Sequence, residues 1–487
     1  MSQRPVDDGL AALRAVHDRL WDPDAELVRV APGVNPDVNL SQWQLHAVRE
    51  TALGAVVDLR HGQVGRAAAG IRRVLANQYR EEGVPWSGTF KVCAEEADPP
   101  TEHAEQWLHY DPNWRQFLGC ILAYTLDRHA EVLPAELGAA MQEAIGRCVR
   151  GEPRHRIPDW YTNPNLLHAW LESWLGVRCN DRHRINNGEI RLRRIMERFE
   201  RHGDVDEYNS PTYDGIDLFA AALWVTLPPT RQFGQAGTEL ATRIGARLGR
   251  LYHPGLAAIC GPYTRAYGMS LDRYVSLAGQ WLALAGADMS RVLPPRLDEH
   301  TTHVHDLYFL EMFDDLADAV VPHIRIEDVE TPRRHEQRFG DIVAVSYLDD
   351  AWAVGAERGR IPTFAKDQYV PFTAHFVDGT GIAAVGVKLG DTTSTVDVHL
   401  DDARTVTLVA NGADRRVELR LVCSSAPTIG AREVRLGSVT FEFSAGPSRV
   451  VTDEKQAATE LRVWFDVPHV TMTARRTASS PGRRSPT

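Results

Sequence analysis

Over the first 320 residues, eleven stretches repeat apolar residues at helical spacing, and they alternate between nearly all-apolar and charged members. They run Leu10–Leu20, Trp43–Val57, Val64–Tyr79, Trp107–Ala130, Leu137–Val149, Pro164–Val177, Asn187–His202, Pro211–Leu227, Gly234–Tyr252, Met269–Ala285 and His305–Ala319. A helix apolar on every side must be buried, and a charged partner must shield it from water. Paired helices with short joins either stack as a solenoid or close into inner and outer rings. No repeat of fixed period is visible, which favours an α/α toroid, incomplete or closed, over a solenoid.

Near Val320 the hydrophobic period drops from helical to two, with strand-like runs such as Asp341–Tyr347, Tyr369–Val377, Gly381–Leu389 and Glu460–Val467. Short strands at this spacing predict an antiparallel β-sandwich. The expected fold class is therefore multidomain, α then β. The toroid spans 1–320, a Pro-containing charged linker 321–338, the sandwich 339–473 and an Arg/Ser/Pro-rich disordered tail 474–487.

A net charge of −11 argues against nucleic acid or an anionic membrane as the main partner. The six cysteines show no CxxC spacing, so neither a zinc site nor a disulfide framework is signalled. Met1–Asp22 reads as an amphipathic helix and not as a signal peptide, and no apolar run is long enough to span a bilayer. The expected location is cytoplasmic, with no cofactor and no metal.

Chemistry-bearing residues collect where a polar join meets an apolar helix. The richest join is Asp206–Asp217, which holds Tyr208, Asn209, Tyr213 and four carboxylates. Ser210 before Pro211 reads as an N-cap, placing Tyr213 and Asp217 on one helical face. A second join, Gly261–Gly268, alternates Tyr263, Arg265 and Tyr267, so an extended segment points all three the same way. Arg265 there either clamps a carboxylate or stacks between structural tyrosines. A third join carries Trp160, Tyr161, Asn163 and Asn165, with His168 one turn inside the following helix. Trp160 and Tyr161 either stack on a sugar face or pack beneath the loop; His168 is either catalytic or a satisfied core residue. Trp86–Phe90 and Tyr110–Trp114, with Trp114, share the composition, and in a toroid all these joins gather at one rim. His300, His303 and His305 form a weaker cluster without supporting carboxylate spacing.

This layout resembles the heparinase II/III-like and alginate-lyase-like polysaccharide lyases. Asn209 with Tyr213 is the local match, and Ser87-Gly88-Thr89-Phe90 is similar to their His-Gly-Thr loop, with Ser87 in place of the histidine. The resemblance implies β-elimination at a uronic acid, a carbon–oxygen lyase reaction that needs no metal. Asn209 would neutralise the substrate carboxylate, or alternatively satisfy its own loop. Tyr213, Tyr263, Tyr267 or His168 would move the proton, and Arg265 would hold the acid group. Trp160, Tyr161, Asn163, Asn165, Tyr208 and Trp114 would line the substrate path. The expected partner is an acidic oligosaccharide or small carboxylated substrate. Three other readings stay open: an inverting glycoside hydrolase using Asp206, Glu207, Asp214 or Asp217, a tailoring enzyme acting on a non-sugar metabolite, and a non-catalytic glycan-binding scaffold.

Overall fold

The computed structural model describes residues 4, 6–34, 45–361, 368–378, 381–388, 395–402, 404–411, 417–423, 427–436, 439–455, 458–467 and 469–476. It divides the chain into two compact units. The helical unit comprises Met1–Glu207, Tyr213–Ala246 and Leu271–Arg325; the β unit comprises Tyr208–Thr212, Arg247–Ser270 and Ile326–Thr487.

The helices are α1 (Asp7–Leu20), α2 (Val48–Arg60), α3 (Val64–Ala76), α4 (Trp114–His129), α5 (Ala135–Gly151) and α6 (Thr162–Arg178). They continue with α7 (Arg182–His202), α8 (Tyr213–Thr226), α9 (Arg231–Leu251), α10 (Leu277–Leu284), α11 (Met289–Val292) and α12 (Leu310–Asp315). A 3₁₀ turn, Val304–Phe309, leads directly into α12. The apolar members form an inner ring: α2 packs on α4, α4 on α6, α6 on α8, α8 on α10, α10 on α12, and α12 back on α2. The charged members sit outside. Thus α3 covers α2, α5 covers α4, α7 covers α6, and α11 covers α10. Phe233 of α9 packs edge-on against Trp224 of α8, and α1 lies on α12. The helical unit is therefore a closed α/α toroid.

Composition accounts for the assignment. Helix α8 is buried at every residue from Asp214 to Trp224, whereas α7 buries only Gly188, Leu192, Met196 and Phe199. Each inner helix runs the same way, so their N-termini share one rim and their C-termini one floor. At the floor Arg60 ends α2 and reaches three carboxylates near the end of α12: Glu311 at 2.7 Å, Asp314 at 3.2 Å and Asp315 at 2.8 Å. Tyr124 of α4 donates to the same Asp315 at 2.8 Å.

Some helix boundaries differ from the sequence reading. Helix α4 starts at Trp114, seven residues later than expected, because the Asp111 carboxylate accepts from the Asn113 N–H at 2.8 Å and turns the chain there. The run expected over Met269–Ala285 is a 3₁₀ turn, Leu271–Arg273, followed by α10, whose N-cap Ser276 accepts from the Gly279 N–H. The Ser210 hydroxyl donates to the Arg265 carbonyl at 2.6 Å. A small antiparallel sheet, Trp21–Asp22 with Leu27–Arg29 and His46–Ala47, was not signalled by the sequence pattern.

In the β unit one eight-stranded sheet orders Arg449–Lys455, Ala458–Phe465, Val417–Cys423, Gly381–Lys388, Phe372–Asp378, Trp352–Arg358, Ile342–Leu348 and Arg333–Phe339. A six-stranded sheet orders Thr395–Leu400, Thr405–Asn411, His469–Arg476, Val439–Phe443, Glu433–Leu436 and Thr428–Ile429. Every pairing is antiparallel, and the sheets share one apolar core in which Phe376 packs on Phe441. Residues 333–338, read as linker, form the first strand with Phe339. Strand residues also reach Arg476, and the rest of the expected tail, 477–487, lies outside the described residues.

Arg60→Gln should lower the stability of the helical unit by about 2 kcal/mol, because it leaves the buried Glu311 carboxylate without its main counter-charge. Urea unfolding of the variant against the parent protein measures it.

Candidate active site

The rim is stitched by side chains that reach from one inner helix to the next. Asn113, just before α4, donates through Nδ2 to the Tyr161 hydroxyl before α6 at 2.9 Å. Asn163 of α6 donates through its backbone N–H (3.0 Å) and Nδ2 (2.7 Å) to Glu207, ahead of α8. Trp281 of α10 donates to the Gly215 carbonyl of α8 at 3.0 Å. Gln280 of α10 donates to the Asp306 carbonyl at 2.8 Å. Asp306 then lies 3.5 Å from Arg49 of α2, and His305 lies 3.6 Å from Glu50. The Arg49 guanidinium sits over the rings of Trp114 and Phe309, at 5.7 and 5.8 Å, which completes the circuit.

Around Asn113 the network deepens. Arg156 donates to Asn113 Oδ1 at 3.0 Å and to Gln116 Oε1 at 3.3 Å, and is held in turn by the Glu152 carboxylate at 2.6 and 2.9 Å. Gln116 lies 3.4 Å from the His168 ring. Asn113 thus accepts from a cation and donates to a phenol oxygen. Trp160 stacks on Tyr161 with ring centroids 5.9 Å apart and stays partly exposed.

Three carboxyl groups near the rim have altered acidities. Burial pushes Asp306 up to about 6, against the pull of Arg49. Burial also raises Asp111, although the Asn113 N–H, Arg156, Arg49 and Arg115 all favour its charged form. Glu50 shows the opposite outcome: burial raises it, but Arg49 and His305 prevail and hold it at about 2. Asp306, a raised carboxyl beside a cation, is a group that can exchange protons near pH 6.

The expected site residues divide between the two units. Tyr161, Asn163, Asn165, His168, Trp114, Trp160 and Tyr213 lie at or near the rim, all in the helical unit. Tyr213 is the first residue of α8 and is half-buried. Asn165 is engaged by its own loop, donating to the Pro158 and Tyr161 carbonyls and accepting from Arg191. His168 is buried between Gln116 and Glu172, and burial lowers its pKa well below the usual value, so it is neutral.

Asn209, Tyr208, Tyr263, Arg265 and Tyr267 belong to the β unit. Asn209 adopts φ 53° and donates both amide hydrogens to backbone, to Cys260 at 2.7 Å and Pro262 at 2.8 Å. Those are the donors that carboxylate neutralisation would need. Tyr263 is fully buried and donates to the Ile259 carbonyl, while its backbone pairs with Val370. Arg265 donates from Nε to Gln368 Oε1 at 2.8 Å, Tyr208 packs against Arg247 and Phe339, and Tyr267 is half-buried. Of the carboxylates offered for hydrolysis, Asp206 pairs with Arg198 and Glu207 with Asn163. Ser87 of the Ser-Gly-Thr loop accepts through its carbonyl from Arg115 at 2.8 Å.

Sequence reasoning missed Arg49, Asp306, Gln280, Arg156 and Gln116. A signal existed for the first: Arg49-Glu50 precedes the uncharged run Thr51–Val57, and charged residues are rarely fully buried without a partner.

Residues 12–318 match the model of a domain of unknown function (DUF8769). No curated protein matches the sequence. Solved structures similar to the chain include the chondroitin AC lyase of Streptomyces coelicolor A3 in complex with chondroitin sulphate. That match has 13% identity and a TM-score of 0.48, covering 97% of this chain and 79% of that one. Endoglucanase CelQ from Clostridium thermocellum, complexed with cellobiose and cellotriose, matches at 10% identity and a TM-score of 0.33, covering 98% and 93%. Among the described residues no helix is long and apolar enough to cross a membrane.

Because Asp306 holds its proton more tightly folded than its ordinary value near 3.9 allows unfolded, its contribution to stability is full below about pH 4. It is lost as the pH rises through about 6, the folded value. Asp306→Asn should remove that component, seen as a flatter dependence of the urea midpoint on pH between those limits.

Proposed function

The chain belongs to the DUF8769 family, and we propose that the rim of its helical ring cleaves a carboxylated glycan by β-elimination. The observation that carries this reading is the hydrogen-bonded set Arg156–Asn113–Tyr161, which brings an Arg, an Asn and a Tyr together at the N-termini of two inner helices. β-Elimination beside a uronic acid needs its carboxylate neutralised, one proton removed and one proton returned.

Tyr161 is assigned the proton transfer. Asn113 donates through Nδ2 to the Tyr161 oxygen, and Arg156 fixes Asn113 from behind. The phenolate takes the proton on the carbon next to the carboxylate. The C–O bond to the leaving sugar breaks as the C=C bond forms, and Tyr161 returns the proton to the leaving oxygen. Arg49, stacked over Trp114 and Phe309, is the cation assigned to the substrate carboxylate. Trp160, partly exposed on Tyr161, offers a face for an adjoining sugar ring. No step in this scheme is routed through a metal.

A second reading is favoured by the raised acidities of Asp306 and Asp111. Two protonatable carboxyls on either side of a glycosidic bond are the equipment of an inverting hydrolase, which separates them by roughly 6.5–9.5 Å.

The test is incubation with uronic-acid glycans, following both the ultraviolet absorbance of a conjugated unsaturated acid and the release of reducing ends. Both signals should rise together, and Tyr161→Phe should reduce turnover by about 10²–10⁴-fold with the fold intact. Reducing ends without new absorbance, abolished by Asp306→Asn, would establish the hydrolase instead.

A further inference from the structure

Helix α7, on the outside of the ring, carries seven arginines against three glutamates in a chain whose net charge is −11. The two signs are kept apart. Arg184, Arg191, Arg194, Arg198 and Arg201 recur three, four or seven residues apart, which sets them on one flank of the helix. Glu189, Glu197 and Glu200 fall on the other flank, with Arg182 and Arg193. That second flank turns toward α9: Glu189 accepts from the Thr230 hydroxyl, just before α9, at 2.8 Å. The arginine flank turns the opposite way, toward the join between α5 and α6. Arg191 donates to Asn165 in the first turn of α6, and Asp159 of the join acts on both Arg191 and Arg198. Arg154 and His155 of the same join are exposed, and Trp160 is partly so.

We propose that this arginine flank binds the unreacted length of an extended acidic glycan whose reacting unit sits at the rim; the proposal thus rests on the rim reading. Arg198 is answered by Asp206 at 2.9 Å. Arg194 and Arg201 are exposed and make no ion pair or hydrogen bond among the described residues. Like charges three or four residues apart on a helix repel, and glutamates interleaved with the arginines would relieve them. Here the glutamates are segregated, and the repulsion remains. Burial lowers the pKa of Arg191 and the charge of Arg194 adds to it, against the pull of Glu172, Glu152 and Asp159. An anionic ligand laid along the flank removes that cost.

The shape of the flank selects the ligand. Seven residues of helix rise about 10 Å, so Arg194 and Arg201 present two cations that far apart along one line. The line runs to the end of α7, from which the chain passes to the start of α8 at the rim. A row of separated cations fits a chain that repeats its negative charge, and not a single small anion. A nucleic acid is disfavoured, because its charge recurs every ~1.7 Å of axis and meets the net −11 of the protein more strongly than sparser sugar carboxylates do. Trp160, between the flank and Tyr161, offers a sugar ring the apolar face that continues the path to the rim.

The test is isothermal titration of the full chain, carrying Tyr161→Phe so that the polymer stays intact, with polygalacturonate, galacturonate trisaccharide, dextran and single-stranded DNA. Polygalacturonate should bind more tightly than the other three, with an affinity that falls as salt is raised. Arg194→Gln with Arg201→Gln should weaken the polymer about tenfold, the loss of two exposed ionic contacts, and make the salt dependence shallower. The trisaccharide, too short to span from the rim to the flank, should be unaffected. Arg194→Lys with Arg201→Lys should keep most of the polymer affinity. Polymer affinity unchanged in the Gln pair, no saturable polymer binding, or DNA or dextran bound as tightly as polygalacturonate would overturn the proposal. The two readings separate in the parent chain. Trisaccharide cleavage with polymer affinity unchanged in the Gln pair would sink the flank and leave the rim. Polymer affinity lost in the Gln pair of a chain that cleaves neither substrate would uphold the flank and sink the rim reaction.

Discussion

Closure of the inner helical ring is the constraint on which the rest of the helical unit depends. A ring of parallel helices closes only if its last member meets its first, and here that meeting is ionic at both ends. Arg60 joins the end of α2 to Glu311, Asp314 and Asp315 at the floor, and Arg49 joins the start of α2 to Asp306 at the rim. The floor pairs are dense in carboxylate and shared with Tyr124 and Arg128 of α4, which suits a structural clamp. The rim contact is longer, 3.5 Å, and carries a carboxyl that titrates near neutral pH. Strength is concentrated at one end of the ring, and adjustable charge at the other.

That division follows from helix direction. Because the inner helices run in parallel, each contributes its N-terminus to the rim, where unsatisfied N–H groups and the helix dipole favour negative charge. Glu50, Asp111, Asp214 and Asp306 all lie within about a turn of an inner-helix start. An acidic substrate bound there gains the same field, with Arg49 and Arg156 added to it.

The architecture was legible because burial leaves a plain trace. Helix α8, almost wholly apolar after Asp217, had to be inner, and α7, charged along most of its surface, had to be outer. The change of period after Val320 located the sheets. The discontinuous part of the β unit was not legible. Residues 208–212 and 247–270 lie among helical segments in the chain, yet Asn209, Tyr263 and Thr264 donate to the backbone carbonyls of Cys260 and Pro262, Ile259 and Tyr208 within the β unit. Composition cannot separate a polar loop that satisfies itself from one that awaits a ligand. The opposite error affected Arg156, and Asn113 was named only as part of the Tyr110–Trp114 join. Their importance comes from contacts made across helices, Arg156 to Asn113 and Asn113 to Tyr161, which no local window of sequence contains.

The central claim, that the rim is where an acidic glycan binds and reacts, is tested most directly by a crystal structure with a bound, uncleaved uronic-acid oligosaccharide. The expected result is a sugar carboxylate paired with Arg49 and the adjoining ring carbon within hydrogen-bonding reach of the Tyr161 hydroxyl. Density for the oligosaccharide elsewhere on the chain, with Tyr161 and Arg49 untouched, would contradict it.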